Sequence, residues 1–259
     1  MYGVAGKYSD VTMVNSSWTE EHIKQLWVGP SIDGQTARQV YKVFPPCDNT
    51  EFLKLQRRSE IIDPSTKGVN KIISVGQFRP EKDHAMQIRT MFELRKIISD
   101  EEWEQVKLVI VGGSRNTQDN QRINDLQALC QHLSVEQNVE FKVNISFEEL
   151  KQEMAEALMG LHTMWNEHFG IAVVEMLAAG LITIAHRSGG PLMDIIVEEA
   201  NARNGFLAVH DQEYAASIAH ILTNMSMPAR KCIQERARDS VGRFQNKILR
   251  VNGSERLIH

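Results

Sequence analysis

Two acids eight positions apart, Glu167 and Glu175, stand in the stretch EHFGIAVVEMLAAGLITIAHRSGGP, which is otherwise largely apolar and closes on paired glycines. An ionised carboxylate only accepts hydrogen bonds, which suits the neighbouring hydroxyls of a sugar or a ribose. Two carboxyls that together cleave a glycosidic bond stand about 5 to 9.5 Å apart. Reading the whole interval as helix separates the two backbones by about 12 Å, which favours two binding tasks over one shared catalytic task. A helix start near Phe169 and Gly170 adds unpaired N–H groups and the positive end of a helix dipole, a setting that favours phosphate. The competing reading makes Glu167 an acid favoured by that dipole and Glu175 an exposed acid on an amphipathic helix.

Cations stand elsewhere in the chain. GQFRPEKDH places Arg79 and Lys82 on one loop, where two cations would grip a pyrophosphate; the alternative is a solvated turn. VGGS at 111–114 and RSGGP at 187–191 are glycine turns. In the second, the amides of Ser188, Gly189 and Gly190 either face a ligand or simply make the turn. No DxD pair or His/Asp cluster offers a divalent metal a seat on a diphosphate, so no metal and no cofactor are expected. His162, His168 and His186 read as satisfied core or edge histidines, with His168 the one best placed to touch a substrate.

These residues need a scaffold that gathers loops at one edge. From about Asn70 the chain alternates short β-branched runs with amphipathic ones: NKIISVG ending in Gly76, VKLVIVGG, NVEFKV, ALMGLHT and LITIAH as strands. HAMQIRTMFELRKIIS, NDLQALCQHL, SFEELKQEMAEA and GIAVVEMLAAG read as the helices between them, the third opening on a Ser cap with an acid three residues on. This rhythm predicts an α/β domain with a doubly wound parallel sheet and right-handed crossovers. Ligands of such sheets bind beyond the carboxyl ends of the strands, where every motif above falls. Earlier, SDVTMVNSSWTEEHIKQLW reads as one strand and one helix, and VYKVFPPCD as a linker broken by Pro-Pro. One strand and one helix cannot close a domain, so this segment is expected to be the remnant of another. QERARDSVGRF reads as a polar C-terminal helix.

Composition narrows the function. The chain has 259 residues, 42% of them hydrophobic, and a formal net charge of -4. No basic stripe is present to neutralise a run of phosphates, which argues against nucleic acid as a partner. Three widely spaced cysteines form neither a zinc motif nor a disulfide framework and fit a reducing compartment. The sequons at Asn15, Asn144, Asn224 and Asn252 are read as unused. The longest apolar run, 170–185, is interrupted by Glu175 and falls short of the roughly 20 residues that span a bilayer. No membrane anchor is expected in this chain.

The segment EHFGIAVVE, with FPPCD, VGQFRPEKDH, RSGGPLMDIIV and NGFLA, resembles the GT-B glycosyltransferases that carry an E-x7-E motif. Within that family it is similar to the eukaryotic α-1,2-mannosyltransferases that use GDP-mannose and a dolichol-pyrophosphate oligosaccharide on the cytosolic face of the endoplasmic reticulum membrane. The resemblance covers nearly the whole chain but only the family's C-terminal half. It implies a Rossmann-like donor domain over 46–245, a remnant of the acceptor domain with its linker over 1–45, and a divergent tail over 246–259. It implies retaining transfer without metal. Arg79 and Lys82 would hold the donor pyrophosphate, with Gly76 in the same cradle; Glu175 would hold the ribose and Glu167 the mannose hydroxyls, with Glu167, Arg79 and Lys82 closest to the chemistry. Phe169, Gly170 and Ile171 would bring backbone amides to phosphates and sugar. Many relatives place the arginine directly after the loop glycine, where this chain has Gln77, and Arg187 stands where a small polar residue is usual. Expected partners are GDP-mannose, the dolichol-linked acceptor, and the family's N-terminal half or other lipid-linked oligosaccharide mannosyltransferases. By itself the chain would transfer no mannose. The rival readings are a transferase using UDP or ADP donors and a non-catalytic nucleotide- or partner-binding module.

Overall fold

The computed structural model describes residues 9, 11–27, 40–56 and 69–245, and the backbone of Leu249–Val251 and Ser254–Arg256. The tail 246–259 and the sequon at Asn252 thus lie mostly outside the described residues.

Six strands form one parallel sheet: β3 (Asn70–Val75), β4 (Val106–Gly112), β5 (Val139–Val143), β6 (Met159–His162), β7 (Ile182–His186) and β8 (Gly205–Ala208), in the spatial order β5-β4-β3-β6-β7-β8. The strands are near-continuous apolar runs because both sheet faces are covered. Successive residues serve opposite cores. Ile72, Leu108 and Ile110 pack in one cluster with Ile88, Met91 and Leu94 of α2 (His84–Arg95), Ile123 and Leu126 of α3 (Thr117–His132), and Tyr214 and Ile218 of α6 (Asp211–Ala219). Ile73, Val109 and Val111 pack in the other with Val173, Val174 and Leu177 of α5 (Ile171–Ala178) and Ala237 of α7 (Met227–Ser240). The helix α4 (Phe147–Glu156) opens with the expected capping box: Ser146 Oγ accepts from the Glu149 amide, and Glu149 accepts from the Ser146 amide at 2.8 Å.

Order and direction reproduce the doubly wound arrangement read from the sequence. The chain builds outward from β3 to β5, returns to lie beside β3 as β6, and builds outward the other way. The β3/β6 boundary is therefore the topological switch point, where loops on adjacent strands diverge and leave a crevice.

Three elements differ from expectation. VYKVFPPCD is not all linker, because β2 (Val40–Lys42) pairs in parallel with β1 (Thr12–Val14), with α1 (Ser17–Trp27) between them. β8 and α6 were not anticipated: GFLA is four residues long and carries no alternation, and α6 has only Tyr214 and Ile218 as large apolar residues. The C-terminal helix begins earlier than QERARDSVGRF and ends at Ser240, after which Val241–Phe244 tighten into a 3-10 turn.

Candidate functional site

The crevice is lined by two loops. One leaves β3 at Gly76, whose amide donates to Val111 O at 2.9 Å, and passes Arg79 to a short 3-10 turn, Pro80–Lys82. The other leaves β6 at Thr163 and reaches Glu167 and Gly170 before α5 begins. Thr163 ties the two together: its hydroxyl reaches Lys82 O at 2.8 Å, with Asp83 O 3.1 Å away, and accepts from Gln87 Nε2 at 2.9 Å. Sequence reasoning missed this buried tie, since threonine at a strand end carries no distinguishing pattern.

At the centre, Lys82 Nζ donates to Glu167 Oε2 at 2.7 Å. Two residues assigned to different parts of one ligand thus pair with each other. The lysine stem lies along Gly76, where an added Cβ would stand 3.4 Å from Lys82 Cδ. His162 Nε2 makes a long contact of 3.5 Å with the same carboxylate oxygen, and Nδ1 has no hydrogen-bond partner among the described residues. The expectation of a core histidine holds for its burial, while its contact with the Glu167 carboxylate is long and leaves Nδ1 without a hydrogen bond. Burial opposes ionisation of Glu167, yet the His162 ring and the Lys82 ammonium beside it outweigh burial and hold the carboxyl at about 2. Of the two contacts, the one with Lys82 is the firmer. Burial keeps the His162 imidazole below its usual range and therefore neutral.

Backbone contacts fix the Glu167 loop. Ser188 Oγ accepts from the Asn166 amide at 2.8 Å and pairs with His186 Nδ1 at 2.8 Å, while the Gly190 amide donates to Glu167 O at 2.8 Å. A Cβ on Gly189 would stand 2.2 Å from Glu167 O, and one on Gly190 2.3 Å from Phe169 O. The paired glycines of RSGGP therefore act as a close backbone seat for the acid loop. Arg187, the departure noted in that motif, turns away to Glu198 at 2.6 Å and to Leu207 O.

Gly170, at φ 112, turns the chain into α5 as its N-cap, a conformation that costs a residue with Cβ. No acceptor in the protein takes the amides of Phe169, Gly170 or Ile171 among the described residues. Phe169 buries its ring between Phe44 and Phe244, anchoring those amides at the crevice. An anion at this point meets free N–H donors at the positive end of a helix.

Glu167 lies in the loop four residues before α5, so the 12 Å figure, drawn for continuous helix, does not apply. Glu175 occupies the second turn of α5 as expected, but it is not the exposed acid of the competing reading. Its carboxyl is half-buried with no hydrogen-bond partner, and burial raises it to about 7. Cys47 is buried beside it. Arg79 is exposed, and no hydrogen bond or ion pair holds its guanidinium. The structure brings Gly76, Lys82, Glu167 and the Phe169–Ile171 amides together and leaves Arg79 free at the rim. His168 stacks on Trp18 with ring centroids 4.8 Å apart. Among the described residues, no group of three or more His, Cys, Asp or Glu could hold a metal ion.

A doubly wound sheet with this crevice matches a known family. The glycosyl transferases group 1 profile covers residues 57–240. The chain belongs to that family. It is 45% identical over 251 residues to the mouse GDP-Man:Man(3)GlcNAc(2)-PP-Dol alpha-1,2-mannosyltransferase, covering 97% of this chain and 49% of the mouse protein. The human protein of that name is 46% identical over the same length, with the same coverage. The Dictyostelium discoideum protein is 40% identical over 248 residues, 94% of this chain and 46% of its own length. The chain therefore spans about half the length of the curated relatives it matches. Among solved structures, Anabaena HepE in complex with UDP superposes with a TM-score of 0.72 at 18% identity, over 94% of this chain and 62% of HepE. Sucrose-phosphate synthase from Thermosynechococcus elongatus gives 0.71 at 21%, over 93% and 56%. Such likeness carries the fold, a Rossmann-like GT-B domain, in agreement with the sequence reading. No helix among the described residues is long and apolar enough to cross a membrane.

Proposed function

We propose that residues 46–245 form the donor-binding domain of a retaining α-1,2-mannosyltransferase that moves mannose from GDP-mannose to a dolichol-pyrophosphate oligosaccharide. The observation that carries this reading is the convergence, at the strand switch point, of Lys82, Glu167 and a helix N-terminus with free amides. The names of the relatives supply the donor and acceptor classes. The endoplasmic reticulum membrane, its cytosolic face and a companion acceptor-binding half belong to the same proposal.

The entering diphosphate takes the Lys82 ammonium from Glu167 and settles against the Phe169–Ile171 amides, with Arg79 closing from the rim. These donors stabilise the charge that develops on GDP as the glycosidic bond loosens, where preorganised donors act most strongly. Glu167, ionised at any physiological pH, is then free to accept from mannose hydroxyls. It orients the sugar and does not attack it. Glu175 receives the ribose hydroxyls. No step calls for a metal.

Competition binding with GDP, UDP and ADP, with and without chelator, tests the donor assignment. GDP is expected to win and chelator to change nothing; preference for another base, or strict dependence on magnesium or manganese, would overturn it. Transfer of radiolabelled mannose to the lipid-linked acceptor is expected once the relatives' N-terminal half is supplied in the same membrane preparation.

A further inference from the structure

A carboxylate next to the Gly189–Gly190 seat is used in an unusual way. Asp194 has a side chain only 3% exposed, and its partners come from the start of the chain. Its Oδ2 accepts from the Ser17 amide at 2.7 Å and its Oδ1 from Ser17 Oγ at 2.6 Å. Lys42 Nζ donates to the same Ser17 hydroxyl at 2.6 Å and lies 3.4 Å from Asp194 Oδ1. Asp194 thus serves the N-terminus of α1 from 177 positions away. The helix has no buried residue of its own, so directional contacts rather than apolar burial hold it in place.

Both flanks of Glu167 meet this helix. On one, Trp18 stacks on His168, the residue after Glu167, with the planes 16° apart. On the other, Asp194 sits in the Pro191–Ile195 turn directly after Gly189 and Gly190, whose backbones press against Glu167 and Phe169. A carboxylate this deeply buried is costly unless paired. If α1 lifts, Asp194 loses the Ser17 and Lys42 donors together, and the turn that seats Glu167 loses its reason to stay.

We infer that Asp194 and Trp18 form a latch through which β1, α1 and β2 fix the Glu167 loop, making both of them positioning residues for the sugar-reading carboxylate. The inference rests on the assignment of Glu167 to the sugar. Docking of α1 therefore governs how well the site distinguishes a sugar nucleotide from the bare nucleotide, with little influence on the nucleotide itself.

Calorimetric titration of the full chain with GDP and with GDP-mannose reads this as a ratio of affinities. Glu167→Gln sets the scale by reducing the ratio about tenfold. Trp18→Ala and Asp194→Asn are expected to lower it about two- to tenfold with GDP affinity unchanged, and Trp18→Phe, which keeps a stacking ring, to restore most of it. Trp18→Ala guards against simple misfolding, since no residue of α1 is fully buried. The latch is overturned if Glu167→Gln lowers the ratio while Trp18→Ala and Asp194→Asn do not, or if those two weaken both ligands equally. An unchanged ratio in Glu167→Gln overturns the assignment of Glu167 itself, and the latch with it.

Discussion

The two acids of the E-x7-E motif occupy opposite electrostatic settings although only eight positions of chain separate them. Glu167 sits on a loop whose backbone is seated on the Ser188–Gly190 turn, and it is ionised because Lys82 and His162 face it. Glu175 sits on a rigid helix between sheet and flanking segments, and burial without a partner holds it near neutrality. A charged acid in a built cradle and a half-neutral acid in an unsatisfied one are prepared for different ligands. The first can trade its lysine for sugar hydroxyls. The second gains a partner only when something arrives.

The largest expected effect follows from the second setting. Glu175 carries a folded-state value raised from 4.5 to about 7. The folded chain therefore holds a proton that the unfolded chain releases, and stability falls as pH rises between those values. Glu175→Gln removes that loss, so urea denaturation should find it more stable than the parent by up to about 3 kcal/mol at pH 8 and nearly equal to it at pH 5. Equal effects at both pH values would place Glu175 in a wetter site than described.

Lys82→Met probes the first setting. It leaves Glu167 with His162 alone and should cost about 2 kcal/mol at pH 7, less than for a fully buried pair because both side chains keep some solvent contact. The depressed Glu167 carboxyl contributes stability above its ordinary value of 4.5 that is lost as pH falls toward about 2. In Lys82→Met that acid-side loss should shrink, since less holds the carboxyl down. Denaturation curves between pH 2 and pH 7 measure both.

Arg79→Ala should be the mildest. An exposed guanidinium without a protein partner contributes within about 0.5 kcal/mol to stability, so the melting temperature should not move. GDP affinity should drop a few-fold and the drop should fade with added salt, as rim charges do. A salt-independent loss would bring Arg79 into the crevice beside Lys82.

The scaffold and the places of both acids on it were legible in the sequence. Strands such as VKLVIVGG, buried on both faces, announce themselves as continuous apolar runs, and the loops after them had to fall at the sheet's carboxyl edge. The helix start at Gly170 and the second-turn place of Glu175 followed from the same pattern. The pairing of Lys82 with Glu167 did not, because crossover topology brings together loops 85 positions apart. Nor did the latch, where Asp194 reads as an ordinary acid until Ser17 is folded against it. β2 and β8 were too short to show periodicity. The long contact of His162 with Glu167 depends on side-chain placement that no spacing encodes.

The claim that the two acids divide one donor between them is tested most directly by measuring GDP affinity in Glu167→Ala and Glu175→Ala side by side. Glu175→Ala should weaken GDP at least about tenfold, the worth of hydrogen bonds to a polar or charged group, and Glu167→Ala should leave GDP binding as it is while weakening GDP-mannose. Equal weakening of GDP by both substitutions would contradict the account.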